Sequence, residues 1–117
     1  MLTIVLVGSR VLDGALRADP NLGHHVEVRV EMRPLPGEEA ADYLGQRLTL
    51  AGGDPQLLMP GAVAALHELS QGTPGRMNIL ADNALHEAYS AGRGQVARSD
   101  VERAHADLGW DAAPPAL

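Results

Sequence analysis

One pattern recurs along the second part of the sequence: a stretch with apolar residues at helical spacing, bounded by Gly or Pro. Apolar side chains three and four residues apart form one face of a helix, and Gly or Pro commonly marks its ends. The segments are residues 38–50, 61–70, 75–91 and a last one that starts at a capping box formed by Ser99 and Glu102. Four successive helices are therefore predicted.

Two β-type stretches precede these helices. Residues 2–7 (LTIVLV) form a continuous apolar run before Gly8, which is typical of a strand buried on both faces of a parallel sheet. Residues 26–32 (VEVRVEM) alternate apolar and charged side chains, the period of a strand with one buried face. A short helix over residues 11–17 and a break at Pro20 lie between them. We therefore expect a central strand and an edge strand of an α/β core.

Composition restricts the classes of function. The 117 residues are 45% hydrophobic but include one Trp, two Tyr and no Phe, so aliphatic side chains must fill the interior. The formal net charge of −6 argues against direct nucleic acid binding, which needs clustered basic residues. The absence of cysteine excludes disulfides and thiolate chemistry, and cytoplasmic localisation is the expectation. Residues 2–7 are too few to span a membrane.

The sequence contains no recognisable catalytic or metal-binding constellation. Its five histidines include no pair four residues apart with the zincin spacing, so no metal site is predicted, and His24 with His25 is the pair to test. Gly8, Ser9 and Arg10 lack the second glycine of a nucleophile elbow. No catalytic residue is assigned to this chain.

Three stretches carry a resemblance to a known family. Residues 4–8 (IVLVG) resemble a sensor-1 strand, residues 32–35 (MRPL) resemble the segment leading into a lid domain, and residues 72–78 (GTPGRMN) resemble a sensor-2 motif. In this order they resemble the C-terminal part of a AAA+ ATPase of the general-secretion-pathway type, to which transposition helper ATPases are close. The resemblance spans residues 2–108 and implies an α/β fragment plus α: two strands of an incomplete P-loop-type parallel sheet, followed by a four-helix lid.

The resemblance also implies a domain organisation. Residues 1–35 correspond to a C-terminal remnant of the AAA+ core, residues 36–110 to the helical lid and residues 111–117 to a flexible tail. In the family's sheet another strand lies between the two present here, so both lose hydrogen-bond partners. We expect the lid to fold unaided and the N-terminal part to be incomplete, oligomeric or rearranged. A piece of a longer product, a truncated reading frame and a subunit completed by another chain all remain open.

The family's activity needs parts that this sequence lacks. ATP binds such modules between core and lid, and Mg²⁺ is held by a G-x-x-x-x-G-K-[ST] loop and an acidic residue after a buried strand. Neither feature occurs in the sequence. ATP hydrolysis, with ATP and Mg²⁺ as cofactors, is therefore expected only of a complete module, and no cofactor is expected for this chain alone. The expected partners are the missing core half, neighbouring subunits or another protein.

Three residues are candidates for nucleotide binding on the resemblance: Ser9, Pro74 and Arg76. Ser9 stands where the family commonly has an amide that positions water, and a plain turn residue is the alternative. The family's lid arginine falls on Gly75, and Arg76 follows about 100° further around the helix. An Arg in a first turn opposes the helix dipole, so it needs another reason to be there.

Two more residues are candidates for contact between subunits. His25 stands where the resemblance places an arginine presented to the neighbouring subunit. Arg29 lies on the charged face of the second stretch, which is either solvated or meets a neighbour. Two functions therefore remain: a nucleotide-sensing lid that works in a complete ATPase, or a non-catalytic interaction module with decayed sensor positions.

Overall fold

The computed structural model describes residues 1–110 and divides the chain into two compact units, Met1–Met32 and Arg33–Leu117. The first unit contains two short helices and the second contains four longer ones with a 3₁₀ turn. The helices are α1 (Arg10–Ala18), α2 (Pro20–Gly23), α3 (Gly37–Leu50), α4 (Pro60–Ser70), α5 (Pro74–Ser90) and α6 (Arg98–Leu108), and the 3₁₀ turn is Pro55–Leu57.

The predicted α/β class is wrong, because the described part of the chain has no strand. Residues 2–7 and 26–32 are not paired in any ladder, and Val5 and Val30 are 78% and 80% exposed. The one β-type contact is an isolated parallel bridge between Leu58 and Val96 in the helical unit. A strand exists only when a neighbour completes its backbone hydrogen bonds, and residues 27–32 find no such neighbour among residues 1–110. The alternation of apolar and charged residues indicated a preference for extended backbone, but it did not specify a neighbouring strand to bond with.

In the first unit, N-cap residues determine where the two helices begin. Ser9 caps α1 by accepting a hydrogen bond of 3.3 Å from the Val11 N–H to its hydroxyl. Asp19 has extended backbone angles, which ends α1 before Pro20 as the sequence predicted. The Asp19 carboxylate then accepts from the N–H of Asn21 and of Leu22, so the predicted turn becomes the single helical turn α2.

The four predicted helices of the second unit are confirmed in position. α5 packs against α4 and α6, α6 also packs against α4, and α3 packs against α4. The core combines a few large side chains with many alanines, which let the helix backbones approach closely. Its fully buried members include Leu66, Met77, Leu80, Val101, Ala62, Ala65 and Ala84. This is the aliphatic interior that the lack of phenylalanine required.

The predicted start of α6 is wrong by two residues. The N-cap is Ala97, not Ser99, and Glu102 forms an ion pair of 2.8 Å with Arg98 instead of reaching back to a cap. Ala97 has no side-chain acceptor, so only half of a capping box exists. The Asp100 carboxylate accepts a hydrogen bond of 2.8 Å from the Ala97 N–H.

Domain assignments beyond the two units stay predictions. The division between Met32 and Arg33 does not test whether residues 1–35 are a core remnant or residues 36–110 a lid. The predicted tail, residues 111–117, lies outside the described residues. Within residues 1–110, none of the helices combines the length and the apolar character needed to cross a membrane.

Candidate functional site

The turn between α4 and α5 is built on a glycine that no other residue replaces without strain. Gly72 has φ of +72°, and a Cβ added there would lie 2.5 Å from the Leu35 carbonyl oxygen. Positive φ favours glycine, and the short distance shows that a second segment packs against this backbone. Thr73 then adopts an extended conformation, and Pro74 occupies the first turn of α5, where its missing N–H costs nothing.

The second segment is the stretch that leads into α3. The Leu35 N–H donates a hydrogen bond of 2.8 Å to the Gly72 carbonyl. The Leu35 carbonyl accepts one of 2.8 Å from Nε2 of His67, which fixes the proton of this half-buried imidazole on Nε2. Two of the stretches that the resemblance selected separately therefore meet in space at Leu35 and Gly72.

Arg76 lies in the first turn of α5 and is half-buried. Its guanidinium carbon is 4.7 Å from the ring centroid of Trp110, which follows α6. It forms no ion pair and donates no side-chain hydrogen bond within residues 1–110, although five other arginines of the chain pair with carboxylates. The Trp110 ring also meets His105 edge-on, with 6.0 Å between centroids.

The start of α5 leaves polar groups available. Thr73 makes no side-chain capping bond, so the first N–H groups of this 17-residue helix lack a side-chain acceptor. A Cβ built on Gly75 would have no atom within 4 Å, which shows open space beside the turn. The predicted residues Pro74 and Arg76 are thus brought together at an open helix N-terminus.

The other predicted residues belong to the first unit and serve local structure there. Ser9 caps α1, as described above. Arg29 contacts Asp13 through Nη1 at 2.6 Å, and the same carboxylate binds Arg17 at 2.9 Å. The His25 side chain is exposed, and its backbone N–H bonds to the Leu22 carbonyl. In the described residues no three His, Asp or Glu side chains gather as a group able to hold a metal ion.

Two grooves lie elsewhere on the helical unit. The larger, about 490 Å³, runs between α3 and the 3₁₀ turn and is lined by residues such as Ala41, Gly45 and Thr49. The smaller, about 220 Å³, is lined by Leu85, Tyr89, Val96 and their neighbours. Neither is lined by a predicted site residue, so the grooves do not add to the site at Arg76.

Among curated proteins, the chain is similar to "General secretion pathway protein A" of Aeromonas hydrophila, with 30% identity over 106 residues. The chain is related to a general secretion pathway protein. The match covers 89% of this chain and 19% of that protein, so the chain spans about a fifth of its relative's length. No protein-family model matches the chain, and no solved structure matches it significantly.

The relationship supports the coarse part of the resemblance and leaves the finer part as prediction. A link to a secretion-pathway protein is shown, whereas ATP binding, sensor roles and the lid assignment are not tested by it.

The residues that bring the site together were missed by sequence reasoning. His67 counted only as a surface histidine, and Trp110 only as one of three aromatic residues, because no local pattern signals a contact with a residue 30 positions away.

Asp100 was also missed, and it is the most buried charge of the helical unit. Its side chain has no exposure and accepts hydrogen bonds from the Ala97 N–H, from Arg103 at 2.7 Å and from Arg93. Burial alone raises the pKa of this carboxyl, but the bonds from Ala97, Arg103 and Arg93 outweigh burial, and the pKa is lowered from its ordinary value. This cluster ties the turn after α5 to the start of α6.

Proposed function

We propose that α3–α6 are the lid portion of a AAA+ ATPase, and that this chain contributes to ATP binding and hydrolysis only within a complete module. One observation carries the proposal. In a chain related to a general secretion pathway protein, Arg76 lies at the open start of α5 without a carboxylate partner among residues 1–110. A cation kept free of carboxylates beside uncapped N–H groups suits the terminal phosphate of ATP.

The remaining parts of the nucleotide site must come from elsewhere. The sequence has no phosphate loop and no acidic pair to hold Mg²⁺. ATP and Mg²⁺ therefore bind only when another AAA+ core half or a neighbouring subunit supplies this loop and this acidic pair. In this proposal Pro74 fixes the start of α5 and Arg76 contacts the γ-phosphate. Ser9 is a candidate for nucleotide binding on the resemblance alone. His25 and Arg29 face a neighbouring subunit, and the complete module works in the cytoplasm.

A second candidate is a non-catalytic interaction module, and two observations favour it. Ser9 and Arg29 are already engaged in local contacts, as a helix cap and in an ion pair with Asp13. Large apolar side chains of the first unit are also exposed, among them Val7, Val28 and Met32. A surface of this kind commonly binds another protein. Such binding would not depend on ATP.

The experiment that separates the two is a chimera in which this chain replaces the matched segment of the Aeromonas protein. We expect the chimera to bind a non-hydrolysable ATP analogue, and Arg76→Ala to weaken that binding roughly tenfold to hundredfold, the effect of losing a charge-assisted hydrogen bond. ADP affinity should change little, because ADP lacks the γ-phosphate. Isothermal titration calorimetry measures both.

Arg47→Ala is the matched control, since Arg47 is an exposed arginine of α3. It should leave both affinities unchanged. Equal ATP affinity in the Arg76→Ala and parent chimeras would remove the lid proposal in favour of the interaction module. The isolated chain serves as a further control and should not bind the ATP analogue.

A further inference from the structure

The contact between Arg76 and Trp110 has properties that an ordinary surface contact lacks. Arg76 is held at 4.7 Å from the ring centroid by an aromatic face and by no carboxylate within residues 1–110. A cation over a ring is attracted by the ring's quadrupole and not by a hydrogen-bond acceptor, so the contact does not pair the guanidinium N–H donors with a carboxylate. A carboxylate in the place of Trp110 would instead occupy those donors. The ring therefore orients the cation without consuming its hydrogen-bonding capacity.

The contact also explains how an arginine is accommodated in the first turn of α5. The positive end of the helix dipole disfavours a cation there, and a long side chain loses conformational freedom when it is held. The quadrupole of the Trp110 ring opposes the first effect, and the partly buried ring fixes the direction of the side chain. Arg76 is thereby preorganised.

Trp110 itself is placed by the fold of the helical unit. α6 packs along both α4 and α5, and its C-cap residue Gly109 has φ of +66°, which turns the chain after the helix. His105, one turn and a half earlier on α6, meets the Trp110 ring edge-on. The indole is therefore set against α5 by helix packing.

We propose that Trp110 is a positioning residue that directs the Arg76 guanidinium toward the γ-phosphate of ATP. This inference rests on the proposed lid function and deepens it. The resemblance puts the lid arginine at Gly75, and Arg76 starts about 100° further around α5. The Arg76 side chain therefore leaves the helix in a different direction from the family's arginine. The contact with Trp110 compensates by fixing the position of the guanidinium at the end of that side chain. Trp110 itself touches no nucleotide.

The first test uses the chimera described above. Trp110→Ala should weaken binding of the ATP analogue roughly three- to tenfold, the range expected for loss of a cation–π contact, with ADP affinity unchanged. Trp110→Phe retains a ring and should restore most of the affinity. In the Arg76→Ala background, Trp110→Ala should have no further effect. Tyr89→Ala, which removes an aromatic side chain that is 81% exposed, is the control and should change nothing.

The outcomes distinguish failure of this inference from failure of the lid proposal. If Arg76→Ala weakens ATP binding but Trp110→Ala does not, Trp110 does not position Arg76 and only this inference is overturned. The same follows if Trp110→Ala weakens ATP and ADP binding equally, or acts fully in the Arg76→Ala background. If Arg76→Ala has no effect on ATP binding, the lid proposal fails first.

A second test needs only this chain, which contains a single tryptophan. Arg76→Ala should change the emission of Trp110, and Arg47→Ala should not. In urea unfolding followed by circular dichroism, the loss of stability caused by Trp110→Ala should be smaller in the Arg76→Ala background than in the parent. Additive losses together with unchanged emission would show that the two side chains do not interact, which overturns the inference even if the chimera does not fold.

Discussion

The backbone N–H of Leu35 donates a hydrogen bond of 2.8 Å to the carbonyl oxygen of Gly72. This bond ties the segment before α3 to the turn before α5, and His67 holds the same residue from its carbonyl side. Both polar groups of the Leu35 backbone are therefore bound by the helical unit. The segment that leads into the helices is consequently part of their structure.

Gly72 is predicted to be far less tolerant of substitution than another glycine with the same backbone angle. Gly72 and Gly92 both have φ of +72°, but a Cβ at Gly92 would meet nothing within 4 Å, whereas one at Gly72 would lie 2.5 Å from the Leu35 oxygen. Gly92→Ala should cost about 1 kcal/mol of unfolding free energy for the left-handed conformation alone. Gly72→Ala should cost at least about 1 kcal/mol more, because Leu35 must also move. Urea unfolding followed by circular dichroism measures both, and equal losses would contradict the close approach.

His67 is predicted to stabilise the helical unit through its bond to Leu35. His67→Ala removes a half-buried donor and leaves the Leu35 carbonyl without its imidazole partner, so we expect a loss of about 1–2 kcal/mol. His86→Ala changes an exposed residue of α5 and should stay within about 0.5 kcal/mol of the parent. Urea midpoints at pH 7 give the comparison. A His67→Ala variant as stable as His86→Ala would show that this bond contributes nothing.

How much of this the sequence could predict depends on the range of the interaction. Helices α3–α6 follow from local periodicity, because each presents its apolar face at a spacing that sequence alone reveals. The strand predictions failed for the opposite reason: residues 2–7 have the composition of a buried strand, yet a strand needs a partner that composition does not specify. The start of α6 was missed because Ser99 is a favoured N-cap residue, whereas the helix begins after Ala97, whose N–H donates a hydrogen bond to the Asp100 carboxylate.

In the candidate site, too, the local features could be predicted from the sequence and the contacts between distant residues could not. The placement of Pro74 and Arg76 at a helix start followed from local sequence, since Pro favours a first turn. The contacts that give the site its geometry join Arg76 to Trp110 and Leu35 to Gly72, over more than 30 residues each. Such contacts depend on how helices pack, and a single sequence carries no local signal of them.

The buried carboxylate of Asp100 predicts a dependence of stability on pH. Its pKa is lowered in the folded chain, so its contribution is complete above the unfolded pKa of about 3.9 and is lost as pH falls through the folded value. Asp100→Asn should cost about 2–3 kcal/mol at pH 7, because Arg93 and Arg103 lose a charged acceptor. The free energy of unfolding of the parent should therefore fall more steeply below about pH 4 than that of the variant.

Asp82→Asn is the control for this measurement, since Asp82 is an exposed residue of α5. Its unfolding free energy at pH 7 should match that of the parent within about 0.5 kcal/mol. Its acid slope should remain close to that of the parent. Parallel pH profiles for the parent and Asp100→Asn would mean that the Asp100 carboxyl has the same pKa in the folded and unfolded chains, contrary to its burial among two arginines.

The helical unit is predicted to fold without the first unit, provided that Leu35 is kept. All members of the buried cluster lie between Ala40 and Ala104, and none belongs to residues 1–32. A variant that starts at Arg33 should therefore unfold cooperatively in urea with nearly the stability of the parent helical unit. A variant that starts at Gly37 loses both backbone bonds of Leu35 and should be less stable by about 2 kcal/mol. If the Arg33 variant shows no cooperative transition, the core of α3–α6 is not self-sufficient. If the two variants have equal free energies of unfolding, the contact of Leu35 with Gly72 does not contribute to stability, and the segment before α3 only connects the two units.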